Sequence, residues 1–202
     1  MNQYRLILAS TSPYRAEILQ KLALPFTQVS PDYDESPQPS ETPEALVARL
    51  ACGKAESCQL PDGNHLVIGS DQVCVIDGLI IGKPHTEAKA VQQLAQQSGQ
   101  CITFYTGVAL HNTRTHTTKV KVDTFLVHFK SLTLEQIQNY VKIEQPLNCA
   151  GSFKSEGLGI ALFSALEGKD PNTLVGLPII ELINMLNDEG VDVLSSQTNI
   201  VK

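Results

Sequence analysis

The chain predicts an α/β fold: one domain over residues 1–202, with a mixed sheet and helices on both faces. Two observations lead there. Apolar runs of strand length are interspersed with stretches of helical character along the chain. An Asp77-Gly78 pair between two of those runs marks a β-hairpin. Length and composition agree, since 202 residues can bury one extended core, and 42% hydrophobic with 18% charged residues is ordinary for a soluble globular protein.

The elements follow in order. YRLILA predicts a strand over Tyr4–Ala9, and a helix runs from Pro13 to about Leu22, with proline in its first position and Ser12 as N-cap. PFTQVS reads as a short strand. PDYDESPQPSETP, rich in proline, serine and acids, reads as a loop. A second helix is expected from Pro43 to about Cys58, capped by Thr42, with Leu46, Val47 and Leu50 on one face. HLVIGSDQVCVIDGLIIGKP supplies the two hairpin strands, and Thr86–Ser98 is helical. Two long β-rich runs flank a polar turn near Asn112, and Thr133–Val141 forms a helix with a Thr133–Gln136 capping box. The remainder holds a glycine-rich stretch from Gly151 to Gly159, an apolar run, and a helix from about Asn172 to Leu186. A polar tail after about residue 187 is expected to be partly flexible.

Fifteen basic against twenty-one acidic residues give a net charge of -6, which argues against a general nucleic-acid binder. No run approaches the ~20 apolar residues that a membrane span needs, and the apolar start lacks a signal peptide's layout, so a cytoplasmic protein is expected. Five cysteines, an odd number without a Cys-x-x-Cys pair, predict buried reduced thiols.

Several residues carry chemistry. The turn Ser10-Thr11-Ser12-Pro13-Tyr14-Arg15 leads from a strand into a helix, where backbone amides and the helix dipole favour phosphate. Arg15 is unfavourable in a first helical turn unless an anion is bound; the plain alternative is a solvated arginine on a capped helix. Asp71 stands at the polar end of the strand LVIGSDQV, where a carboxylate can hold a divalent cation or activate water, or simply sit in a turn. Lys83 precedes a proline that keeps the chain extended, Lys54 lies one turn after Leu50, and Glu35 sits in the acidic loop. Together they make cations for phosphates and acids for a metal, the set that phosphoryl transfer requires. A serine hydrolase built on Ser10 or Ser12 lacks the G-x-S-x-G elbow.

At this point the sequence resembles the Maf family of nucleoside triphosphate pyrophosphatases over nearly its whole length. The residues that carry the resemblance are LILASTSPYR, Asp34-Glu35, RLACGKA, IGSDQV, GKP, FYTG, EQPLNCAGSFKSEG and NTLVGLP. The resemblance implies a Maf/ITPase-like fold, a two-lobed mixed sheet flanked by helices with a central cleft. It implies hydrolysis between the α and β phosphates with a divalent cation, Mg or Mn, and often a homodimer. Asp71 matches the family's catalytic carboxylate and, with Glu35, its metal-binding acids. Ser10, Ser12, Arg15, Lys54 and Lys83 match its phosphate-facing positions.

Tyr14, Gln72 and Glu156 resemble the branch that prefers 7-methyl-GTP; the dTTP and UTP branch carries Arg, Thr and Gln there. The 7-methyl-GTP branch often has Trp where this chain has Tyr14. A methylated guanine is cationic, so an aromatic face attracts it, and a carboxylate pairs with the two adjacent donors on its pairing edge. The expected function is therefore hydrolysis of 7-methyl-GTP to 7-methyl-GMP and pyrophosphate. The alternatives are a Maf pyrophosphatase with another base preference, dTTP or UTP among them, and a non-enzymatic nucleotide-binding division regulator.

Overall fold

The computed structural model describes residues 3–195 and 200–201. In chain order the elements are β1 (Tyr4–Ala9), α1 (Pro13–Gln20), β2 (Phe26–Val29), α2 (Pro43–Glu56), β3 (His65–Ile76), β4 (Leu79–Ile81) and α3 (Glu87–Gln97). They continue with β5 (Cys101–Asn112), β6 (Thr117–Phe129), α4 (Leu134–Glu144), β7 (Phe163–Gly168), α5 (Pro171–Val175), α6 (Ile179–Asp188) and β8 (Ile200–Val201). Short 3₁₀ turns occupy Ala150–Ser152 and Leu158–Leu162. Ser12, Thr42 and Thr86 each cap their helix by accepting a backbone N–H, and Thr133 with Gln136 completes the capping box.

The strands form an eight-stranded mixed sheet in the order β2-β1-β3-β5-β6-β7, with β4 on β3 and β8 on β1. Strand β1 runs parallel to β2, β3 and β8, whereas the β3–β4 and β6–β7 pairs are antiparallel. Asp77 and Gly78 both have positive φ, 51° and 77°, as the two-residue hairpin turn demands. Helices flank the sheet.

The chain divides into two compact units. Unit 1 comprises residues 1–71, 106–123 and 176–202; unit 2 comprises residues 72–105 and 124–175. The core of unit 1 includes Ile7, Ala9, Ala51, Ala55, Val67 and Ala109, and its alanines let helix and sheet backbones approach. In the core of unit 2, Phe153 meets Phe104, Phe129 and Phe163 edge-on with ring centroids 4.9–5.7 Å apart.

Two expectations need amending. The helix expected from Asn172 to Leu186 is two helices, α5 and α6, because Gly176 takes φ 114° and Pro178 has no N–H to continue the ladder. The cysteines carry free thiols, but only Cys74 is buried, and Cys101 at the start of β5 is exposed. The tail after residue 187 lies partly outside the described residues, and within it Ile200–Val201 pairs with β1. Among the described residues no helix is long and apolar enough to cross a membrane.

Candidate active site

In unit 1, β3 leaves the core through Leu66, Val67 and Ile68, all buried, and ends its share of the unit with Gly69, Ser70 and Asp71. A Cβ at Gly69 would overlap the Ala51 carbonyl oxygen, and one at Gly107 in β5 would overlap the Val47 carbonyl. Two bare backbones thus let α2 lie directly on β3 and β5. Lys54 shares the buried face of α2 with Leu50 and Val47, one and two turns earlier.

Its ammonium consequently arrives among the acids. Lys54 Nζ donates to Asp71 Oδ1 at 2.7 Å and to Glu35 Oε2 at 2.8 Å. The Lys54 and Asp71 side chains are 7% and 12% exposed, while Glu35 is 57% exposed. Burying an ammonium alone is prohibitive, so this pairing is a condition of the packing. Asp71 Oδ2 and Glu35 Oε1 accept no hydrogen bond among the described residues.

Glu35 is placed by a strap. Arg49 of α2 holds Glu41 with two hydrogen bonds of 2.7 and 2.8 Å and reaches the Ser36 carbonyl at 3.1 Å. The ring of Tyr33 covers Gly53, where any Cβ would overlap it. Hydrogen bonding to Glu41, then to the Tyr33 hydroxyl, pushes the Arg49 guanidinium above its ordinary value. The acidic loop is therefore tied to α2 on both sides of Glu35.

The turn before α1 is largely self-satisfied. Ser10 Oγ accepts the Ser12 amide at 3.1 Å, and Ser12 Oγ accepts the Arg15 amide at 3.4 Å. Gln28 Nε2 of β2 supports the turn through the Ser10 carbonyl at 3.1 Å. Arg15 Nε donates to the Gly176 carbonyl at 2.9 Å, and Nη1 lies 3.5 Å from Ser10 Oγ. Burial holds the guanidinium below its ordinary value, and the Asp71 and Glu35 carboxylates act in the opposite direction. The Gly176 carbonyl also lies 2.8 Å from Ser70 Oγ, so one oxygen steadies both Arg15 and the residue before Asp71. Tyr14 is half-buried on α1. Ser10, Ser12, Arg15, Lys54, Asp71 and Glu35 thus all belong to unit 1.

Lys83, Gln72 and Glu156 belong to unit 2. Lys83 is exposed and takes no hydrogen bond or ion pair among the described residues. Both ends of its segment are fixed, by Gln93 Nε2 on the Gly82 carbonyl at 3.0 Å and by the His85 amide on the Leu147 carbonyl at 2.9 Å. Gln72 Nε2 donates to the Thr173 and Leu174 carbonyls of α5 at 2.8 and 3.1 Å. Glu156 is exposed, with Ser155 Oγ donating to it at 3.4 Å.

Sequence reasoning missed Tyr33, Glu41 and Arg49, the Ser70–Gly176 junction, and Gly69 and Gly107. The glycines did leave a signal, since each interrupts a strand-like run where a close backbone approach is the usual reason.

The Maf family, described as Maf-like protein, matches residues 5–189. The 7-methyl-GTP pyrophosphatase of Vibrio cholerae is 62% identical over 194 residues, 96% of this chain and 100% of that protein. Those of Vibrio vulnificus and Aliivibrio fischeri are 59% and 58% identical, over 96% and 95% of this chain and 100% of each relative. With a family match across nearly all of its length and relatives covered end to end, the chain belongs to the Maf family.

Proposed function

We propose that this chain hydrolyses 7-methyl-GTP to 7-methyl-GMP and pyrophosphate, clearing a modified nucleotide from the pool, with residues 1–202 working as one domain. The observation that carries the reading is the buried Lys54 ammonium shared by Asp71 and Glu35. The names of relatives that the chain matches end to end support the substrate.

In this mechanism Asp71 takes a proton from water as the water oxygen attacks the α-phosphorus. The bond from that phosphorus to the bridging oxygen breaks, and pyrophosphate leaves with the electron pair. Lys54 holds the Asp71 carboxylate in place through its 2.7 Å hydrogen bond. Its ammonium has three protons and spends two on carboxylates, leaving one for a phosphate oxygen. Arg15 and Lys83 supply further positive charge, which stabilises the leaving group.

Asp71 and Glu35 fit a divalent cation, because each keeps an oxygen without a hydrogen bond. Mg²⁺ commonly takes one or two protein carboxylates beside phosphate oxygens and water. Such an ion supplies charge neutralisation and lowers the pKa of water. For the base, Tyr14 offers an aromatic face worth roughly 0.5–2 kcal/mol to a cation. Glu156 pairs with the guanine donors, and Gln72 acts through the α5 carbonyls it holds.

The test is pyrophosphate release, with magnesium or manganese, from 7-methyl-GTP, GTP, dTTP, UTP and CTP side by side. Preference for 7-methyl-GTP is expected. Preference for dTTP or UTP would overturn the base assignment alone, and no turnover would favour a nucleotide-binding regulator. A folded Asp71→Asn protein with near-full turnover would sink the catalytic assignment.

A further inference from the structure

Helix α4 ends on Glu144, a carboxylate at the end of the helix where the dipole disfavours negative charge. Among the described residues, every hydrogen bond and ion pair of that residue beyond its own helix goes to the segment around Glu156. Lys154 Nζ donates to the Glu144 carbonyl at 2.8 Å and lies 3.3 Å from its Oε1. Glu144 Oε2 accepts the Leu158 amide at 2.8 Å. One turn earlier on the same helix face, the Tyr140 hydroxyl oxygen accepts the Lys154 amide at 3.0 Å.

The segment then closes on itself. The Lys154 carbonyl accepts the Gly157 and Gly159 amides at 3.2 and 3.1 Å. A Cβ at Gly157 would crowd the Glu144 carboxylate, and one at Gly159 would overlap the Lys154 carbonyl. Phe153, just upstream, is locked in the aromatic core. The backbone is thus pinned before and after Glu156, while Glu156 itself stays exposed.

The geometry points to Tyr140 and Glu144 as positioning residues for base selection: α4 holds the Lys154–Leu158 loop so that the Glu156 carboxylate is presented in one place. This rests on the reading of Glu156 given above. A carboxylate pre-set by its backbone discriminates bases by geometry, and one on a slack loop adapts to either pattern of donors. An acid at an unfavourable helix end, spent entirely on one loop, is a local conflict of the kind that functional sites retain.

The experiment measures KM and kcat for 7-methyl-GTP and UTP with the full chain and with Glu144→Ala, Glu144→Gln and Tyr140→Phe. Glu144→Ala is expected to lose about tenfold of the preference for 7-methyl-GTP, the usual scale for removing a charged hydrogen-bond partner. The loss should appear in KM for 7-methyl-GTP, with kcat held within about twofold, because Asp71 and Lys54 are untouched. Glu144→Gln can still accept the Leu158 amide and should recover most of the preference. Tyr140→Phe removes one oxygen and should show a smaller loss; it reads the same effect if Glu144→Ala does not fold. Folded variants with unchanged preference, or with kcat reduced equally for both substrates, overturn the inference alone. A wild-type chain without preference for 7-methyl-GTP overturns the base reading and the inference together.

Discussion

The Lys54–Asp71 pair of unit 1 is buried, and the candidate base-reading acid of unit 2, Glu156, lies in the open. Lys54 and Asp71 are nearly enclosed and bound to each other, whereas Glu156 faces solvent. The two arrangements solve different problems. Charges that must move a proton or stabilise a leaving group gain strength where water is excluded, but each then needs a partner in the free protein. Charges that only recognise can stay solvated, provided the backbone beneath them is stiff. Unit 1 therefore invests in ion pairs, and unit 2 in glycine turns and a helix clamp.

The largest expected effect breaks the first half of that contrast. Lys54→Met leaves Asp71 without its cation, which should cost about 3–5 kcal/mol, the range for stripping one partner from a buried pair. Turnover should fall by about 10²–10³ or more. Urea unfolding and pyrophosphate release check both; wild-type stability would mean that unit 1 does not depend on the pairing.

Gly69→Ala comes next. Its Cβ runs into backbone that cannot swing aside, so α2 must move, at roughly 1–3 kcal/mol for overpacking. Turnover should fall in step as Lys54 is carried off Asp71. In unit 2, Glu156→Gln should leave the melting temperature and kcat alone while raising KM for 7-methyl-GTP about tenfold, the scale of a lost charged hydrogen bond. A drop in stability there would erase the distinction between the units.

The smallest effects are in pH. Burial holds His65 and His111 of unit 1 below the ordinary imidazole value of 6.5. The unfolded chain then takes up protons first, so stability present above about pH 6.5 is lost as pH falls toward the native values. In unit 2, burial pushes the Cys74 thiol from 9.0 up to about 12. The unfolded thiol ionises first, so stability present below about pH 9 is lost as pH rises toward about 12. Thermal melts across pH should show a shallower acid limb in His65→Leu and a shallower alkaline limb in Cys74→Val.

Much of this was legible in the chain. Caps and the Asp77-Gly78 hairpin depend on residues within four positions of one another, and those local rules held, whereas Asp71, expected at a strand end, lies inside β3. Lys54 was recognisable because helical spacing sets it on the buried face with Leu50. The α5–α6 break was missed although Gly176 and Pro178 stand in plain view, because the apolar pattern runs on across them. The Arg49–Glu41 strap crosses from loop to helix, where no periodicity connects the two.

The sequence by itself determined the capped helix starts and the Asp77-Gly78 hairpin, since local sterics, capping and periodicity decide those things. The tertiary structure decided the partnerships. Arg15 meets the carbonyl of Gly176 across 161 positions, and Lys54 reaches Asp71 only because two distant glycines let a helix settle on bare backbone. Such contacts follow from how surfaces pack once the elements exist, and that information resides in no single stretch of the chain.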